Sequence, residues 1–360
     1  KRVIEDTAKE LGLKGEIHDH EWVNFCTARN YALEKIKGKA EWGFWIDCDE
    51  QLVLHEGFSK DALLRNLEGR HSCSTEVIYG PQKYFRTQLF RTDVDWEWRG
   101  AVHEIMFPPE GFNAMGGIVQ GLHTLVTPDG ASWGDGTKES QRQKYLEHAE
   151  LLHEYIKEDK DVRWLFYLAQ SYRDAFEWEK AEFWYNERLK RHEGYWEELY
   201  FSGLMIAAMK GNQKKPIGEI IDAYLNCAKY DPGRCEHFMS VIRHYQSVGN
   251  YTFSYSLSKY CYDTYKKSPF PKSTLFIDDN VYNWQIADLH CVNCYYTGRY
   301  TEAKQVYNKL RKQINKGLVP PDHVKRILDQ SKWYEAKHIA EKNKEKKSKE
   351  SQFQPPLIEK

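Results

Sequence analysis

The chain lacks several features that would have settled its class at once. It has no apolar run near the ~20 residues that cross a bilayer, so no transmembrane segment is expected. It lacks an excess of charge: 52 Lys and Arg face 53 Asp and Glu, a net charge of −1. That balance argues against bulk attraction to nucleic acid or to an anionic membrane. No glycine-rich phosphate loop is present, which places a nucleotidyltransferase or phosphotransferase last among the candidate activities. The initiator Met and any signal-like opening are missing as well. Lys1 to Leu11 already reads as mid-helix, so the natural beginning is expected to lie upstream.

Cysteine is too sparse for an oxidised secreted scaffold, at eight in 360 residues. Reduced thiols are expected, in a protein that is cytoplasmic or peripheral to a membrane. The one Cys-x-x-Cys pair, Cys291 and Cys294, has no second pair at zinc-finger spacing. Both read as small buried hydrophobes on a helix.

The chain is long enough for two or three domains, and 41% hydrophobic residues suffice for a packed core. Residues 1–128 read as α/β. Val3, Ile4, Ala8 and Leu11 recur at helical spacing. Asn24 caps a second helix over 25–37, and Gly38 ends it. Residues 42–46, Trp-Gly-Phe-Trp-Ile, form a short apolar run, as expected of a strand buried on both faces in a parallel sheet. A helix is expected from Ser59, and extended segments over 76–79, 84–91, 102–107 and 118–125. The Pro-, Gly- and Asp-rich stretch 129–139 is the expected linker.

Residues 140–340 read as helical repeats of the tetratricopeptide kind. Ala169, Tyr172, Ala181 and Tyr185 satisfy that pattern of small and aromatic positions, with Phe176 where glycine is usual. The same grammar returns around Tyr245, Gly249 and Tyr251, and around Cys294, Gly298, Tyr300, Ala303 and Tyr307. A weaker unit spans 204–232. Aromatic residues reach 14%, and the packing of rings between such helices accounts for them. The Lys-, Glu- and Ser-rich stretch 341–360 is expected to be a disordered tail.

Chemistry points first to Asp47-Cys48-Asp49. Asp-x-Asp occurs three times, also at 93/95 and 159/161, but only the first directly follows an apolar strand. Sheets of α/β proteins bind ligands beyond strand ends. In extended chain, carboxylates at i and i+2 project to one side and can share an ion. Oxygen ligands of this type suit Mg²⁺ or Mn²⁺ bridging a diphosphate. A solvated acid pair in a turn explains the tripeptide equally well by itself. A cluster at His18-Asp19-His20 is a weaker metal candidate.

The ordered segments Ala28-Arg29-Asn30, Trp45-Ile46-Asp47-Cys48-Asp49-Glu50, Gln88-Leu89-Phe90-Arg91 and Trp98-Arg99-Gly100-Ala101-Val102-His103-Glu104 resemble the family 2 glycosyltransferases of GT-A fold, in the branch fused to tetratricopeptide repeats. The resemblance implies a partial GT-A, Rossmann-like domain lacking its opening strands, followed by an all-α repeat domain. It implies an inverting glycosyltransferase, with a UDP- or GDP-sugar donor and a glycan, lipid or peptide acceptor. Asp47 and Asp49, completed by His123, would hold the metal. Arg29, Asn30, Asp47 and Arg91 would bind the donor. Glu104 would be the general base, with His103 beside it. The plain alternatives are an ion pair for Arg29 and hydrogen-bonded structural roles for His103 and His123. Gln88 departs from the family's Arg. The alternative function is a non-catalytic scaffold, whose repeat groove binds a protein partner beside a vestigial transferase domain.

Overall fold

Asn24 opens the second helix as expected: its side chain accepts from the Thr27 amide, and Thr27 returns a bond to the Asn24 backbone. Ser59 caps the third in the same way. These local rules place α1 (Arg2–Glu10), α2 (Phe25–Ile36) and α3 (Lys60–Leu67) where the sequence puts them. Val3 and Ile4 of α1, however, are exposed, and no residue of that helix is buried. The computed structural model describes residues 1–79, 82–127, 137–267 and 275–352. The expected linker 129–139 lies almost wholly outside the described residues. The chain divides into two compact units, 1–176 and 177–360.

In the first unit, strands β1 (Trp42–Phe44), β2 (Glu50–Leu54), β3 (Ser72–Tyr79), β4 (Gln82–Arg91) and β7 (Ile118–Val126) form one sheet in the order β1-β4-β3-β7-β2. Strands β5 (Glu97–Arg99) and β6 (Ile105–Phe107) form a separate antiparallel pair. The expectation of a parallel sheet is corrected: only β3 and β7 run parallel. β1 is an edge strand antiparallel to β4, not a central one, and only Gly43 in it is buried. Gly43 has a steric reason, since a Cβ there would come within 2.5 Å of the Phe90 ring on the partner strand.

Alternation along β4 sends Leu89 and Phe90 to opposite faces. Leu89 joins Leu67, Cys73, Val119 and Leu122, with Leu63 of α3 packed against them. Phe90 joins Trp98 and Met106, with Leu33 and Ile36 of α2 beside them. The sheet is thus covered by α3 on one face and α2 on the other. Inside it, buried Gln88 accepts from Thr75 and from Thr124 (2.9 Å) and donates to the Trp45 carbonyl (3.1 Å). Helices α4 (Lys138–Glu158) and α5 (Arg163–Asp174) complete the unit and pack on each other.

The second unit holds α6 (Trp178–Leu189), α7 (Glu197–Asn212), α8 (Ile217–Asn226), α9 (Glu236–Ser247), α10 (Tyr251–Lys267), α11 (Ile286–Tyr296), α12 (Tyr300–Asn315) and α13 (Pro321–Gln352), each packed on the next. A π-helical turn, Val281–Gln285, leads into α11. The helices α5, α7, α9 and α11 each end in a residue of left-handed backbone, namely Phe176 (φ 62°), Lys214 (φ 56°), Gly249 (φ 74°) and Gly298 (φ 76°). That stop reverses the chain into the following helix and marks successive helical repeats. Their spacing is uneven, and longest between Gly249 and Gly298.

Two fully buried arginines pin the loops between these helices. Arg188 pairs with Glu198 (2.9 Å) and gives its other N–H groups to the carbonyls of Arg191, Glu193 and Tyr195. Arg234 pairs with Glu236 (2.7 Å) and donates to the carbonyls of Leu275 and Phe276. The expected tail at 341–360 is corrected in part. α13 continues to Gln352, because Lys, Glu and Gln are good helix formers and Pro321 at its first position starts it. Residues 353–360 lie outside the described residues.

Arg188→Ala would take a buried guanidinium from Glu198 and from three loop carbonyls and should cost ~3–5 kcal/mol in denaturant unfolding. A loss below about 1 kcal/mol would count against the pinning role. Buried His237 is pushed down to about 4, chiefly by desolvation. The unfolded chain, with an ordinary value near 6.5, therefore takes the proton first. Stability should be complete above about pH 6.5 and fall as pH drops toward about 4, by roughly 3 kcal/mol at most. Urea midpoints measured against pH should lose that share of their slope in His237→Gln.

Candidate functional site

The acids after β1 do meet a basic partner. Arg29 of α2 reaches Asp47 with both oxygens in range, at 3.0 and 3.2 Å. Its guanidinium lies over the rings of Trp45 (4.6 Å) and Trp98 (4.8 Å), which meet edge to face. Glu50 repeats the arrangement with Arg86 at 2.6 Å, and Arg86 lies over Trp45 at 4.4 Å. Glu50 also accepts from the Asp47 amide. Two carboxylates and two guanidiniums are thus stacked around one indole, and each charge is met by its opposite. Asp49 is fixed through its backbone carbonyl, which accepts from the Thr127 amide and hydroxyl.

Of the other expected site residues, Glu104 lies near enough for both Arg29 and Asp47 to act on its carboxyl, and Asn30 bonds the backbone of the same Trp98 that carries Arg29, whereas Arg91 and His123 are engaged elsewhere. Asn30 pairs with the backbone of Trp98, accepting from its N–H (2.7 Å) and donating to its C=O (2.9 Å). Its amide therefore acts as a strand partner for β5. Arg91 is engaged by Asp93 (2.7 Å) and Glu41 (3.0 Å). His123, opposite Val53, lies 2.8 Å from His55. It is therefore turned toward His55 rather than gathered with Asp47 and Asp49.

His103 has left-handed backbone (φ 56°) and stacks on Tyr167 of α5 at 4.3 Å. Its pKa is lowered to about 4, first by desolvation and then by His148, Arg163 and Lys144, although part of the residue stays exposed. Glu104 has its carboxyl raised by burial, against the opposing pull of Arg29. Gly100 of the same segment is needed because a Cβ would meet the Trp164 ring at 2.9 Å, and its amide donates to the Tyr155 hydroxyl. The segment from Trp98 to Glu104 is thus moulded onto α4 and α5.

A different group is assembled in the second unit. His290 and Cys294, one turn apart on α11, face Glu302 of α12. Among the described residues it is the one set of three metal-ligating side chains whose ligand atoms all lie within 4.8 Å of one another. Cys291 and Cys294 are buried on a helix as expected, but the expectation did not weigh the spacing His290-x-x-x-Cys294. That spacing keeps both side chains on one helix face.

No protein-family model and no curated protein matches the chain. Among solved structures the chain is similar to MamA, at 12% identity and a TM-score of 0.37, covering 51% of this chain and 96% of that one. It is similar to the C-terminal part of a TPR repeat-containing protein from Cytophaga hutchinsonii, at 13% identity and a TM-score of 0.34, covering 49% and 63%. A Podosopora anserina putative kinesin light chain with nearly identical TPR-like repeats is similar at 14% identity and a TM-score of 0.34, covering 52% and 98%. The expected family 2 glycosyltransferase is corrected here, and with it the enzyme class, the GT-A fold and the nucleotide-sugar donor. The sheet is mainly antiparallel, with β3 and β7 its one parallel pair, which is not the Rossmann-like sheet that the resemblance implies. The segments that suggested the family serve packing in this chain: Asn30 holds β5, Gly100 and His103 seat α5, and Gln88 ties strands together.

Among the described residues the chain contains consecutive helical repeats, each helix packed on the next, together with a five-stranded sheet. No helix among the described residues is long and apolar enough to cross a membrane. Asn30→Ala should cost about 2 kcal/mol in urea unfolding, through two lost bonds to a partly buried strand. A change under about 0.5 kcal/mol would show that the amide does not hold β5.

Proposed function

We propose that the chain is a non-catalytic scaffold whose helical repeats bind a segment of a partner protein. The observation that carries this reading is the cross-bonding of every second helix. Arg243 and Gln246 of α9 bond to Gln285 and Asn293, before and within α11, at 2.7 and 2.9 Å. Asp288 of α11 accepts from Arg326 of α13 at 2.7 Å. α9, α11 and α13 thus form one layer, while Tyr255 of α10 bonds to Glu302 of α12 in the other.

A layer of helices joined side by side offers an extended surface along which a peptide can lie. Arg243 is exposed and donates to the neutral amide of Gln285, while the carboxylates of Asp288 and Asp278 attract its charge and Arg326 opposes it, so this face offers both signs of charge to a partner segment. A photo-crosslinking residue at position 243 should trap a protein partner in cells, while one at Asn308 of α12 should not. Arg243→Glu should weaken recovery of that partner about tenfold, the scale of one interface anchor. Equal trapping at both positions, or none at 243, would overturn the assignment of the surface.

A further inference from the structure

Helix α11 brings His290 and Cys294 together, and the first turn of α12 adds Glu302. His290 Nε2 is 3.3 Å from Glu302 Oε1 and 3.7 Å from Cys294 Sγ. Zinc bonds to sulfur, nitrogen and oxygen of about 2.3, 2.0 and 2.0 Å give tetrahedral edges of about 3.3 Å for N···O and about 3.5 Å for S···N. The three side chains already stand close to those edges. We propose that His290, Cys294 and Glu302 form a binding site for a single zinc-type divalent ion, with the fourth position open to water or an outside ligand.

The shell behind these ligands is built as such a site requires. Gln246 donates to Asn293 Oδ1 (2.9 Å), which orients the Asn293 amide to donate to Ser258 Oγ (2.9 Å). Ser258 gives its own proton to the Tyr255 carbonyl (3.1 Å) and lies 3.0 Å from His290 Nδ1. Its second lone pair can then accept an Nδ1 proton, which leaves Nε2 bare toward the ion. Tyr255 donates to Glu302 Oε2 (2.8 Å) and so turns Oε1 toward His290. The rings of Tyr255 and Tyr262 stack with the imidazole at 5.4 and 5.1 Å and fix its plane.

Both cysteines of the pair are buried, and their hydrogen-bond partners separate them. Cys291 is aimed at the Ala303 carbonyl (3.6 Å), away from the group. Glu302 is 26% exposed, which gives an ion a way in. The facing charges are Lys259, at 3.7 Å from Glu302 and 2.6 Å from Asp263, and Arg299, which lies over the Tyr255 ring. Lys259 is thus compensated by Asp263. One thiolate and one carboxylate balance a divalent charge. A thiolate and an imidazole select zinc or cobalt over Mg²⁺ or Mn²⁺. Binding forms a metal–sulfur bond and releases the Cys294 proton to solvent. The His290 proton moves from Nε2 to Nδ1 with no net loss.

The full chain, stripped of metal with a chelator, should be titrated with Co²⁺ and followed by absorption. One equivalent should produce thiolate-to-cobalt charge transfer and tetrahedral d–d bands, and Zn²⁺ should abolish both. Apparent affinity should rise about tenfold per pH unit near neutrality, reflecting the single proton released. Cys294→Ser should remove the charge-transfer band, and Cys291→Ala should retain it. Ser258→Ala should weaken binding by about 10–100-fold. Glu302→Gln lies at the rim and decides the matter if Cys294→Ser fails to fold: it too should weaken binding. The proposal is overturned by the absence of a thiolate band at one equivalent, by a band that survives Cys294→Ser, or by unchanged affinity in Glu302→Gln.

Discussion

A helix in the repeat half can bury its apolar side only against the helices before and after it, so the chain must reverse direction every time a helix ends. The rest of that unit depends on this constraint. The reversals are made by left-handed residues, and those at 214, 249 and 298 lie within the unit. Gly249 and Gly298 adopt that backbone without cost, whereas Lys214 must be held there by its surroundings. The other loops, after α6 and after α10, would leave carbonyls and charges without water. Arg188 and Arg234 answer that need, each joining one carboxylate and the carbonyls of one loop. A guanidinium suits the task because its five donors lie in one rigid plane.

Carboxylates behave differently in the two units, and their surroundings explain why. Asp47 and Glu50 are met by Arg29 and Arg86, which are themselves fixed on Trp45. Their charge is satisfied within the fold. Glu302 is met by a tyrosine hydroxyl, an imidazole and, at greater distance, a lysine already paired with Asp263. Its oxygens face a soft nitrogen and a sulfur rather than a fixed cation. That contrast, more than the number of acids, separates a packing cluster from a candidate ion site. The ion group shares α11 with the α9–α11–α13 layer proposed to bind a partner: Asn293, which Gln246 bonds across that layer, also donates to Ser258 behind His290.

Much of the local structure was legible from residue order. Asn24 and Ser59 cap the helices expected of them, β7 falls within a residue of its expected bounds, and the small and aromatic positions around Ala181 and Tyr185 are buried. Caps and periodicity are short-range signals, fixed within one or two turns of chain. What went astray was long-range. The apolar run at 42–46 reads alike whether its strand is central and parallel or an antiparallel edge, because periodicity does not record the partner. The run Asp47-Cys48-Asp49 reads alike whether its first acid awaits a metal or an arginine 18 residues upstream.

The sequence by itself determined where α2 and α3 begin and that helices recur after residue 140, since those follow from neighbouring side chains and backbone. Only the tertiary structure decided which charges meet. It placed Arg29 on Asp47, turned Asn30 and Gln88 to holding strands, and brought Glu302 up to His290 and Cys294. Charge pairing and ion binding act over a few ångströms in space between residues far apart in the chain, and no local pattern encodes that distance.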